Sequence, residues 1–186
     1  MPPKSPFSER HGFSRPKDIT IREDAPEHLR YCVRQTAIDC GLGARTLRTV
    51  LCRLLRVAPD EENKYDREIL AEVRELMNAC PWSKVYDIIE ELHAGLARSD
   101  QITGEDWASA FADQINWFFV DEGFGWQLEK GEIVTRGTEA FEAVVAEAIS
   151  TLEASDRPTA AKCLHDALQT SRGDRKPIYA ALPIMR

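Results

Sequence analysis

Apolar residues along this chain recur at helical spacing nearly everywhere and alternate in a single place. Asp24-Ala25-Pro26-Glu27 reads as a helix start, with Asp24 as N-cap, Pro26 in the first turn and Glu27 completing a box-like D-x-x-E. Leu29, Cys32, Val33, Thr36, Ala37 and Cys40 then share one face, and Gly41-Leu42-Gly43 stops the helix. A second helix, about residues 44–57, carries the stripe Leu47, Val50, Leu51, Leu54 and Leu55. A third, about residues 64–79, carries Ile69, Leu70, Val73, Leu76 and Met77. Pro81 ends it and Trp82 plugs the corner. Ser83 is the expected cap of a fourth helix with Val85, Ile88, Ile89, Leu92 and Leu96 inward. The polar stretch Arg98 to Gly104 reads as a loop. Thr103 and Asp106 open an aromatic helix bearing Trp107, Phe111, Ile115 and Phe118.

The period then changes. Trp126, Leu128, Ile133 and Val134 flank Glu129-Lys130-Gly131-Glu132, and Gly131 can supply the positive φ of a tight turn. This predicts a β-hairpin near residues 124–136. Two strands alone are marginal in water, so the aromatic helix before them is the expected support. Thr138 opens a further helix with Phe141, Val144, Val145 and Ile149, fading near Ser155, and Asp156-Arg157-Pro158 opens a last one with Ala160, Leu164, Ala167 and Leu168. The expected fold is mainly α, a helical domain of about seven helices with one β-hairpin. Residues 1–18, with Pro2, Pro3, Pro6 and Pro16, read as an extended, partly disordered arm anchored by Phe7 and Phe13. Ile19-Thr20-Ile21 is a short extended piece. Ser171 to Arg186 reads as an exposed tail.

Composition changes this picture little. The 186 residues are 43% hydrophobic and 30% charged, an ordinary balance for a folded core. The net charge of −7 gives nucleic acid no general attraction, although local basic patches are allowed. No apolar run reaches the roughly 18–20 residues of a membrane span. The N-terminus lacks the apolar region of a secretory signal. Cys32, Cys40, Cys52, Cys80 and Cys163 are scattered, with no CxxC pair, as expected of reduced thiols in a cytoplasm.

Candidate chemistry is sparse. The chain has no G-x-S-x-G, no H-E-x-x-H and no phosphate-cradling glycine loop. No Cys/His cluster has metal-ligand spacing, and no cofactor is expected. His93 follows Glu90 by one helical turn and reads as half of a surface pair. HEPN ribonucleases carry an arginine roughly four to six positions before a histidine on a helix. Arg22 and His28 have that spacing, but Pro26 and the helix start fall between them, so no catalytic residue is assigned. The clearest basic feature is on the second helix, where Arg45, Arg48, Arg53 and Arg56 gather opposite the apolar stripe. These four are the candidate nucleic-acid contacts; a solvated face paired with acidic neighbours is the simpler reading.

Several separated motifs occur in a telling order. They are Phe7-Ser8-Glu9-Arg10-His11-Gly12-Phe13, then Ile19-x-Ile21-Arg22-Glu23-Asp24-Ala25-Pro26-Glu27-x-Leu29-Arg30, and Trp82-x-x-Val85-Tyr86-Asp87-x-Ile89-Glu90. Gly125-Trp126-Gln127-Leu128-x-x-Gly131-Glu132-Ile133-Val134 and Leu164-His165-x-Ala167-Leu168 follow. Together they resemble the AbiJ N-terminal domain family of abortive-infection proteins. The resemblance implies a helical sensing or regulatory domain over residues 19–155, with residues 156–186 as the shortened start of a HEPN-like C-terminal region. It carries over no catalytic residue. The expected role is non-catalytic sensing in bacterial phage defence, with an effector or a phage-derived protein as partner and no membrane association. The alternative is an RNA-binding or HEPN-type ribonuclease module using the arginine face. Oligomeric state is left open.

Overall fold

The computed structural model describes residues 7 and 11, residues 17–137, and residues 150, 151, 159, 162 and 163. The chain divides into two compact units, Met1–Ile133 and Val134–Arg186. The described residues hold five helices: α1 Glu27–Asp39, α2 Ala44–Leu55, α3 Asp66–Ala79, α4 Trp82–Thr103 and α5 Trp107–Glu122. A two-stranded hairpin follows, β1 Trp126–Glu129 and β2 Glu132–Thr135. The protein is mainly helical with one hairpin, as the periodicity predicts. The two further helices expected after Thr138 and Pro158 lie almost wholly outside the described residues.

The stripes read from the sequence are the core. Leu29, Val33 and Ala37 of α1, Leu47 and Leu51 of α2, and Ile69, Val73 and Met77 of α3 are buried. So are Val85, Ile88, Ile89, Leu92 and Leu96 of α4. Phe111, Ile115 and Phe119 of α5 are fully enclosed, and each such side chain contributes roughly 1.5–3 kcal/mol by leaving water. Phe119, not Phe118, is the inward aromatic at the end of that helix. α2 packs on α3 and α4, and α5 packs on α1, α4 and β1. Cys40, Cys52 and Cys80 are buried, with the Cys40 thiol pushed up to about 11 by burial and by Asp39 and Asp100.

Helix ends differ from the sequence reading where the expected side-chain cap or stop does not form. α1 starts after Pro26 with no side-chain cap, and Asp24 Oδ1 accepts from Ala25 N instead, so the D-x-x-E box does not form. At its end Gly41 takes φ +91, Gly41 N bonds Ile38 O and Leu42 N bonds Ala37 O, the paired closure a left-handed glycine allows. α4 begins at Trp82, one residue before the expected cap Ser83. It also runs on through the polar stretch read as a loop, because polarity alone does not stop a helix; Gly104, at φ +75, does. Thr103 Oγ1 bonds back to Ser99 O within that last turn. The start of α5 is capped from the preceding helix, where Asp100 Oδ2 accepts from Ala108 N at 2.8 Å.

Candidate functional site

Two places gather the polar side chains that the sequence singles out. The first is the hairpin. Lys130 and Gly131 both have positive φ, 52° and 89°, the signature of a two-residue type I′ turn. In such a hairpin Glu129 and Glu132 are the hydrogen-bonded pair beside the turn. Leu128 and Ile133 therefore point their backbone groups outward, away from the partner strand. Both edges are met by side chains. Asn116 of α5 donates from Nδ2 to Leu128 O at 2.8 Å and accepts Leu128 N–H on Oδ1 at 2.7 Å. Glu90 of α4 accepts Ile133 N–H at 2.6 Å. Burial pushes the Glu90 carboxyl above its ordinary range, partly offset by that bond. His93 lies beside the turn, with Nδ1 only 3.1 Å from where a Cβ on Gly131 would sit. Burial lowers its basicity. Glu90 and His93 thus face the hairpin and do not form the surface pair expected of them. Sequence spacing showed that they share a helix face but not what covers it.

The N-terminal side of the hairpin is strapped by residues 18–22. Ile21 pairs with Phe124 in a single parallel bridge. Thr20 N and Ile21 N both bond Gly123 O, and Gly125 N bonds Ile21 O. Trp126 Nε1 donates to Arg22 O at 2.6 Å, and Arg22 Nη1 reaches Gly125 O at 3.4 Å. Both glycines lie against the strap, Gly123 against its backbone and Gly125 against a side chain. A Cβ at Gly123 would lie 2.4 Å from Asp18 O, and one at Gly125 would lie 2.9 Å from the Arg22 side chain. Rings fill the space beneath. Trp126 stacks near Tyr86, Tyr86 near Phe119, and Phe119 near Phe124 at 5.4 Å between centroids. Tyr86 Oη donates to Asp24 O at 2.9 Å. Arg22 and His28, weighed above as a ribonuclease-like pair, are engaged separately. His28 stacks against Phe118 and Phe124 and lies 4.0 Å from Glu122.

The second place is α2. At about 100° per residue, Arg48 and Arg53 lie at opposite edges of the arginine arc, with Arg45 and Arg56 between them. The edges meet the flanking helices. Arg48 turns toward α3, donating to Asp60 O and Asn63 O at 3.1 Å each and to Glu72 at 3.4 Å, with its side chain only 18% exposed. Burial alone would raise the Glu72 carboxyl. Bonds from Asn63, Asp60 N and Arg48 outweigh it and hold the group below its ordinary range. This network ties the 56–65 connection to α2 and α3 through Arg48. Arg53 turns toward α4 and pairs with Glu91, which Arg98 also contacts. Arg45 and Arg56 are exposed.

Beside Arg53 and Arg56 an open groove of ≈ 630 Å³ is lined by these two residues with Leu54, Leu55, Pro81 and Lys84. Lys84, from α4, was not among the sequence candidates, since nothing in a linear reading brings it to α2. Phe7 is 63% exposed and its ring lies 4.5 Å from that of His11. Phe13 and the C-terminal tail lie outside the described residues. Among the described residues no group of three or more His, Cys, Asp or Glu could hold a metal ion, and no helix is long and apolar enough to cross a membrane.

The family model described as AbiJ N-terminal domain 4 matches residues 5–151. No curated protein and no solved structure matches the chain.

Proposed function

The chain belongs to the AbiJ N-terminal domain 4 family, a family of abortive-infection phage defence, and from that premise we propose that it is a non-catalytic sensing and regulatory module. One observation supports this reading above others. The polar side chains within the hairpin region, Arg22, Glu90, Asn116 and Trp126, are each engaged with a backbone group. Side chains used in that way build a rigid shape and are not poised to react. The chemistry of the site is then recognition. The strap, the glycine pair and the ring cluster beneath them present a fixed surface to an effector or to a phage-derived protein.

The test has two parts. Cells carrying the native locus should plate a phage panel at lower efficiency than cells from which this chain is deleted. Equal plaque numbers across a broad panel would remove the defence role. Separately, the purified chain incubated with total RNA should leave it intact. Cleavage that co-purifies with the chain and disappears in a single-residue variant would overturn the non-catalytic part.

A further inference from the structure

We propose that the groove between the last turn of α2 and the first turn of α4 binds the phosphate of a nucleotide, free or within a single-stranded RNA. This goes beyond the regulatory role and does not depend on it.

Three cations from two helices line this groove, Arg53, Arg56 and Lys84, in a chain whose net charge is −7. Two of them have acidic neighbours. Arg53 shares Glu91 with Arg98, and Lys84 pairs with Asp87 at 2.6 Å. Arg56 has no acidic partner among the described residues. The three cations of the groove have two carboxylate neighbours, Glu91 and Asp87, which leaves one excess positive charge at an open, solvent-reachable hollow.

The backbone at Arg56 is a separate observation. It is the C-cap of α2 and holds φ 57, ψ 43, the left-handed region where glycine is the unstrained choice. An arginine there carries backbone strain of the kind that concentrates at functional sites, and Arg56 lines the groove. The structural alternative is that Arg53 and Arg56 complement the negative end of α2. That accounts for neither Lys84 nor the hollow. The floor is apolar, with Leu54 and Leu55 partly exposed and Pro81 exposed. A shelf of that kind beside a cation cluster suits a phosphate carrying a base, whose apolar faces would cover the exposed aliphatic carbons. The first turn of α4, with neither an acidic residue nor a side-chain cap, offsets the negative end of α2 at the groove.

Fluorescence anisotropy of the full chain with a labelled single-stranded RNA, together with amide chemical-shift mapping with ATP and with inorganic phosphate, tests this. RNA engaging two or three cations should bind roughly seven- to eighteen-fold more weakly at 200 mM than at 50 mM salt. Arg56→Glu with Lys84→Glu should weaken binding about ten-fold and lower the salt slope by about 1.4. Arg67→Glu with Arg74→Glu makes the same charge change on α3 and should leave binding near wild type. Arg56→Gly is the sharpest variant. It should raise the unfolding midpoint, by relieving the left-handed backbone, while it lowers affinity. Groove-dependent RNA binding without shifts from ATP identifies a strand as the source, and ATP shifts confined to groove residues identify a free nucleotide. Three results would overturn the proposal: no binding of any probe, equal loss in both double variants, or unchanged affinity in Arg56→Gly.

Discussion

Asn116 gives one hydrogen bond to the backbone of Leu128 and takes another from it, at 2.8 and 2.7 Å. Its side-chain amide stands where a third strand would stand, with one donor and one acceptor facing the outer edge of β1. Across the hairpin, Glu90 does half of the same for Ile133. A two-stranded sheet that is marginal alone is therefore held at both edges by helices α4 and α5.

Asn116→Ala should leave both backbone groups of Leu128 without partners in a partly buried place. The expected loss is about 1–3 kcal/mol. Amide exchange should accelerate across β1 and β2 more than in α2 or α3. Uniform acceleration throughout the unit would show that the asparagine is not specific to the hairpin.

Two glutamates should respond to pH with opposite sign. Glu72 is held below its ordinary value of 4.5, so its stabilisation is present above that value and is lost as pH falls through the folded pKa. Arg48→Met should therefore cost about 2 kcal/mol near neutrality, and the gap from wild type should narrow below pH 4.5. Urea unfolding at several pH values reads this directly; a gap that widens in acid contradicts the network.

Glu90 is raised by burial, so its favourable contribution is complete below 4.5 and fades as pH rises through the folded value. Glutamine keeps an acceptor for Ile133 N–H and does not titrate. Relative to wild type, Glu90→Gln should be more stable at neutral pH, and that advantage should vanish near pH 4. Denaturant midpoints of the two proteins across this range decide it.

Glycine replacements separate backbone strain from contact. Gly104 and Gly123 both have φ +75, but a Cβ at Gly104 meets nothing within 4 Å, whereas one at Gly123 meets Asp18 O at 2.4 Å. Gly104→Ala should cost roughly 1–2 kcal/mol, the price of a left-handed alanine. Gly123→Ala should cost more and should release residues 17–22, seen as faster limited proteolysis there. Equal costs would mean that the strap is not seated on Gly123.

Much of this protein was legible in its one-dimensional pattern. The stripes of α1 to α4, the glycine stop after Asp39, the Lys130-Gly131 turn and the hairpin follow from local rules, because side-chain period and positive φ are properties of neighbouring residues. The quoted motifs were enough to suggest the family.

What only the tertiary structure decided is which surfaces meet. Arg48 and Arg53 look equivalent on a helical wheel, yet Arg48 is enclosed by Asp60, Asn63 and Glu72 while Arg53 opens onto the groove. Lys84 joins Arg56 although 28 positions separate them. Asp100 caps a helix it does not belong to, and Glu90 and His93 face the hairpin. Each outcome depends on where neighbouring helices place their backbone groups, and hydropathy along the chain carries no information about that.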